Sequence, residues 1–345
     1  MTSDVTREGV RGAVAGRNAL TGSPQTTGLH RNRGRGEERM VPDPTFTSYY
    51  GLPVIKEPVW HSPDIPLYLF SGGLAAGSSL LGAGAQLTGR HALATRSKVA
   101  ALLGVGVSGA ALVHDLGVPS RFLNMLRVFK PTSPMSVGAW LLGAFGPLSG
   151  AAAFSAVTNK LPRVGAAATI GAAAVAPAVA AYTAALLSDT AVPAWHDAYH
   201  DLPFLFVGSA ALAAGGLGLV TSPTGQASPA RLMSTMGWIA EAAATESMQH
   251  RLGMVAEPYE QGKAGRWMRA GKVLAMAGAI GAWPGRRSRV LSMLSGAAMV
   301  CGSICTRFGV FHAGMQSASD PKYTVVPQRQ RLEARGGDGD LGARS

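Results

Sequence analysis

His114 to Trp140 reads HDLGVPSRFLNMLRVFKPTSPMSVGAW. The stretch closes one long apolar run at His114 and Asp115, crosses a short Pro- and Ser-rich turn carrying Arg121, Arg127 and Lys130, and opens the next apolar run at Met135. Two membrane-spanning helices sharing a charged mouth is the natural reading. A soluble core hairpin would carry shorter flanking runs with more charge in them.

The composition supports that choice. Of 345 residues 47% are hydrophobic and only 14% charged, against roughly 25% charged in a soluble domain. Mean hydropathy is +0.17. The net charge of +12 sits in the tails and between apolar runs, with no basic helix face and little interleaved aromatic character. It is read as topology signal and contact with membrane lipids, and no nucleic-acid partner is expected. The two cysteines, Cys301 and Cys305, fall inside an apolar run and offer no zinc or iron–sulfur ligand set.

Three regions follow. Residues 1–48 form a basic tail rich in Arg, Gly, Ser and Thr, without apolar periodicity, and are expected to be disordered. The tail lacks the apolar core of a secretory signal, so insertion through the first span is expected. Residues 49–315 form the polytopic domain of an all-α integral membrane protein, with about eight spans near 65–87, 99–116, 135–157, 164–187, 202–221, 232–248, 270–283 and 290–311. The sixth carries Glu241 and Glu246 and the seventh is short unless Arg269 and Lys272 snorkel, so six is the smaller count. Small residues at spacings such as Gly73 to Gly77 favour close helix packing. Residues 316–345 form a polar C-terminal tail, expected to be mostly disordered. An even span count puts both termini on one side of a multi-pass cell-membrane protein, and the Arg-rich tail makes that side cytoplasmic.

Ionisable groups at membrane depth are costly and therefore candidates for function. Here they are His114 and Asp115 at the end of the second span, Asp189 just past the fourth, Glu241 in the sixth and Arg307 in the eighth. For Glu241 and Arg307, mutual neutralisation competes evenly with proton transfer, Asp115 being a second possible partner for the arginine. Asp115 and Asp189 face a loop-lined mouth, which favours a proton-transfer role. The loop 187–203 holds His196 and His200 at metal-ligand spacing, but a solvated interfacial loop explains the same residues, and no metal site is assigned. Haem is disfavoured because no two histidines oppose each other within spans. A membrane protein with a polar mouth and no cofactor of its own is either a transporter or the anchor of a redox complex whose metals lie in other subunits.

Several stretches bear on that choice: YYGLP at 49–53, LYLFSGGLAAGSSLL in the first span, the His114–Trp140 block continuing into LL, YTAALLSDTAVPAW at 182–195, and LPFLFVGSA at 202–210. Together they resemble the NrfD/PsrC family, membrane subunits of polysulfide-reductase-like and nitrite-reductase-like complexes, in order over residues 49 to 315. The resemblance implies two four-helix bundles without haem or iron–sulfur cluster, docked to a 4Fe-4S ferredoxin-like subunit and a molybdopterin catalytic subunit. It implies exchange of electrons with a quinone, menaquinone or ubiquinone, bound near the start of the first span and the end of the fourth, with proton translocation as a possible accompaniment. Those positions hold Tyr68, with Asp64 just before it, and Tyr182. Arg121, Arg127 and Lys130, with the 188–201 loop, become the partner-docking face. Some polysulfide-reductase-type members carry a histidine near Tyr68; here either proton transfer passes to a nearby acid such as Asp64 or Asp115 or the quinone sits differently, and polysulfide is not presumed as the partner's substrate. Two alternatives stay open. A transporter would use the same buried charges, and Pro177 is expected to break the fourth span with no counterpart in the eighth. An inert anchor would bind the partner without touching quinone.

Overall fold

A backbone that crosses hydrocarbon must satisfy its own N–H and C=O groups, which leaves the apolar runs of this chain only the helix. The structure is a computed structural model that describes residues 4–6, 9–11, 53–116 and 122–334. In the tail expected to be disordered, the described residues are two three-residue strands, β1 (Asp4–Thr6) and β2 (Gly9–Arg11), paired antiparallel. The α-helices are α1 (Asp64–Leu87), α2 (His91–Asp115), α3 (Phe122–Met125), α4 (Pro134–Thr158), α5 (Pro162–Ser188), α6 (Pro193–His196), α7 (Leu202–Thr221), α8 (Ser228–Leu252), α9 (Glu257–Glu260), α10 (Gly262–Gly281), α11 (Arg289–Ser319) and α12 (Lys322–Ala334).

Among the described residues eight helices are 20 residues or longer. Six of them, α1, α2, α4, α5, α7 and α11, are long and apolar enough to cross a membrane. The remaining two, α8 and α10, are the pair whose charges already weakened the sequence reading. Prolines open α4, α5, α7 and α8 at the first or second position, where the missing N–H has no intrahelical partner to lose. Pro177 lies inside α5 without ending it, so the expected break is absent. The C-terminal stretch is also more ordered than expected, being helical through Ala334 apart from a short interruption after Ser319.

Two compact units are distinguished, Val59–Gly314 and the terminal segments Met1–Pro58 with Met315–Ser345. Within the first unit α1 packs on α2, α2 on α4, α4 on α5 and α5 back on α1, closing a four-helix ring. A second ring follows. There α7 packs on α8 and α8 on α10, α10 meets α11 where a Cβ on Gly278 would come within 2.7 Å of the Ser295 carbonyl, and α11 returns to α7 where one on Gly216 would come within 2.7 Å of the Gly296 carbonyl. The expected pair of four-helix bundles is therefore present. The bundles join through α1 and α5 against α7. The tightest point is Gly77, whose added Cβ would stand 2.6 Å from the Ala210 carbonyl and 2.8 Å from the Ala214 side chain.

Successive long helices alternate in direction. The starts of α1, α4, α7 and α10 and the ends of α2, α5, α8 and α11 thus share one side, here termed the Asp64 face. At the opposite face Arg289 donates to the carbonyls of Leu219, Val220 and Ser222, a cation on the carbonyl end of α7. Arg96 donates to Thr221 at the same end.

The connection between the bundles, 188–201, is packed more deeply than a solvated loop. Trp195 is fully buried, donates from Nε1 to the Val310 carbonyl at 2.8 Å and stacks near Phe311 and Trp60. Gly314 leaves room for its indole. Tyr259 donates to the Ala194 carbonyl at 2.8 Å, and burial pushes its phenol well above the ordinary range. His196, Tyr199 and His200 point outward.

The Gly77 contact yields a paired test. Gly77→Leu should destabilise the detergent-solubilised protein by about 1–3 kcal/mol through overpacking. Gly84→Leu, on the same helix but facing open space, should leave thermal unfolding unchanged.

Candidate functional site

Tyr68 lies one turn inside α1 from Asp64, and Tyr182 lies in the last two turns of α5. Because α1 and α5 are neighbours running in opposite directions, both phenols come to the same depth beneath the Asp64 face. They are 2% and 8% exposed, and their hydroxyls hydrogen-bond to each other. The other two helices of the bundle close around them. Gly138 of α4 presents bare backbone to the Tyr182 ring, where a Cβ would collide, and Ser108 of α2 donates to the Tyr68 carbonyl at 3.3 Å.

Above the phenols, two histidine–carboxylate contacts tie the start of α1 to the end of α2. His114 Nδ1 lies 2.9 Å from Asp64 Oδ2. His61 approaches Asp115 Oδ1 with its backbone N–H at 3.1 Å and its Nδ1 at 3.3 Å. Asp64 suits the N-terminal turn of α1 and His114 the C-terminal turn of α2, each opposing the partial charge of its helix end. The carboxylates are mostly covered while both imidazoles reach solvent. The sequence reading had overlooked His61. Its signal was the segment WHSPD at 60–64, immediately ahead of the first span.

The remaining expected residues fall in two places. Asp189, the cap residue of α5, is exposed on the Asp64 face. Arg127 and Lys130 are exposed in the connection between α3 and α4, where Ser136 and Trp140 donate to the Val128 carbonyl at 3.1 and 3.4 Å. Arg121 lies outside the described residues. Glu241 and Arg307 belong to the interior of the second bundle, 6% and 1% exposed. Neither is among the described ion pairs. Glu241 Oε1 accepts from Thr306 Oγ1 at 2.6 Å. Arg307 Nη2 donates to the Phe206 carbonyl at 2.7 Å and its guanidinium lies 3.7 Å over the Phe206 ring. Asp115, the other partner considered for Arg307, is engaged by His61 instead.

An apolar groove of about 430 Å³ runs along α1 and α2 from Leu67 and Val107 to Arg96 and Thr221. It lies on a different side of α1 from Tyr68.

A family model described as Polysulphide reductase, NrfD matches residues 53–239, from just before α1 into α8. The matched part holds the phenol pair and the histidine–carboxylate contacts; Glu241 lies just past its end and Arg307 well beyond it. No curated protein matches the chain.

The phenol contact predicts coupling. Tyr68→Phe or Tyr182→Phe alone strands a buried hydroxyl and should cost about 1–3 kcal/mol of stability. The double variant should cost less than the sum of the singles, measured as a thermal-unfolding mutant cycle in detergent.

Proposed function

On the premise that the chain belongs to the NrfD family, multi-pass membrane anchors of oxidoreductase complexes, we propose that it exchanges electrons between a quinone and a peripheral iron–sulfur protein. The partners are a 4Fe-4S ferredoxin-like subunit and, behind it, a molybdopterin catalytic subunit. The observation that carries this reading is the buried Tyr68–Tyr182 pair beneath an acidic and imidazole-lined mouth.

The donor set fits a quinone headgroup. Two phenols that bond each other use one O–H between them and keep the second to donate to a carbonyl oxygen. Their rings add an aromatic surface in a dry site. A bound quinone, menaquinone or ubiquinone, supplies a two-electron, two-proton couple. Tyr68 and Tyr182 then orient its oxygen, and Asp64 and Asp115, each in contact with an imidazole that reaches solvent, hold and pass protons at the mouth. A His–carboxylate contact suits that task, since imidazole titrates nearest neutral pH of all side chains. Arg127 and Lys130 with Arg121, together with the exposed rim of the 188–201 loop, form the docking face. The exposed Asp189 serves proton exchange with solvent at that rim.

Two measurements test the proposal. The tagged protein, purified from its native host in mild detergent, should bring an iron–sulfur subunit, iron, molybdenum or tungsten, and quinone; arrival alone, free of metal and quinone, would favour the transporter. In the intact complex Tyr68→Phe and Tyr182→Phe should each weaken quinone affinity by about two- to tenfold, the worth of one hydrogen bond. Unaltered quinone-linked turnover in both variants would leave only an inert anchor.

A further inference from the structure

The second bundle has a polar cleft of its own, open to the surface through exposed residues and ending on buried Glu241. Between α8, α10 and α11 lies a cavity of about 350 Å³. Glu241, Thr306 and Trp238 line its deep end, and Glu246, Gln249 and Glu260 line the end toward the Asp64 face. Glu241 stands three turns inside the Leu252 end of α8, about 16 Å at 1.5 Å per residue. That depth is near the middle of a hydrocarbon core of about 30 Å.

What fills this cavity is decided by Glu241. One carboxylate oxygen accepts from Thr306, but Oε2 is buried without a partner. A desolvated carboxylate oxygen in that state is unfavourable unless water or a proton reaches it. Arg307 does not supply the missing contact, since its Nη2 donates to the Phe206 carbonyl and its Nε and Nη1 are themselves without hydrogen-bond partners. The wall toward the Asp64 face is charged on both sides, with Glu246 and Gln249 on α8 facing Arg269 and Lys272 on α10. These side chains give water hydrogen-bond partners along the way to Glu241. From Thr306 the polar groups continue along α11 to Ser303, which exchanges a hydrogen bond with Ser209 of α7 at 2.8 Å.

We propose that this cavity is an aqueous half-channel by which protons reach Glu241 from the Asp64 face, with Arg307 as the fixed counter-charge. Hydronium in the cavity gives its proton to Glu241 Oε2, the carboxylate becomes a carboxylic acid, and water remains; discharge reverses the step. Loading changes the Glu241–Arg307 centre from neutral to singly positive at mid-membrane depth. The inference deepens the proton-transfer part of the proposed function. Its test reads access and protonation without quinone or partner, so failure of one reading is distinguishable from failure of the other.

The test uses the full chain in sealed vesicles, with Cys301 and Cys305 replaced by Ala and single cysteines introduced. Lys130→Cys marks the Asp64 face. A charged, membrane-impermeant thiol reagent added on that side should modify Thr245→Cys and Gln249→Cys, and should fail at Ile239→Cys on the exposed apolar side of α8. Modification of Thr245→Cys from the other side only, or no faster than Ile239→Cys, overturns the half-channel. In the wild-type chain a hydrophobic carbodiimide should label Glu241, with the adduct lost in Glu241→Gln. Labelling confined to Glu246 and Glu260 overturns the loading role. The cysteine variants keep Glu241 in place, so the access result stands even where Glu241→Gln fails to fold.

Discussion

The close approach of α1 to α7 at Gly77 is the contact on which the arrangement of both bundles depends. In lipid there is no hydrophobic gain in bringing two apolar helices together, so association rests on packing and on whatever polar contacts packing permits. A glycine against the Ala210 backbone lets the helix axes come close enough for both. One turn earlier, Gly73 leaves room for the Arg307 guanidinium between α1, α7 and α11. The same run of small residues thus joins the bundles and encloses a charge. An arginine in that position is shielded from lipid on every side and can be satisfied only by carbonyls, an aromatic face and a nearby carboxylate.

The apolar framework was legible because it is built from long runs punctuated by prolines and charges, and each run became a helix. The weaker spans were hard to read for a physical reason. Glu241, Glu246, Arg269 and Lys272 lower the hydropathy of α8 and α10, and these same residues line the cavity. A window average counts them against a span, whereas in three dimensions they share one cleft between α8 and α10, with Glu241 buried at its base and the other three exposed. Pro177 misled for a related reason: proline removes one N–H but does not end a helix held on several sides by its neighbours. The burial of Trp195 could not be read from its surroundings, since its partners Val310 and Phe311 lie more than a hundred residues away.

At the candidate site, the family resemblance singled out Tyr68 and Tyr182, and alternating helix direction put them together, because the start of the first span and the end of the fourth must share a face. The hydrogen bond between them needed α1 and α5 to be neighbours, which a four-helix ring provides and a linear array does not. His61 was invisible to a search confined to spans. It lies outside the membrane segment, and its role comes from the approach of the pre-helical segment to the end of α2.

The two polar centres also differ in depth and in the sign of their surroundings. Tyr68 lies one turn below Asp64, about 6 Å along the helix, on the side where two histidine–carboxylate contacts reach the surface. Glu241 lies about 16 Å deep, and Arg307 is on the α1 side of the second bundle, against Gly73. A proton moving from Glu241 toward Tyr68 would therefore pass a fixed positive charge in a low-dielectric interior, where repulsion is strong. Under the proposed function, protons for the phenol pair would take the shorter and less opposed route through Asp64 and Asp115. On this electrostatic ground the two proposals divide the work: the first bundle would handle protons that accompany electron exchange, and the second would take up a separate proton whose charge is felt across the bundle interface without being delivered there.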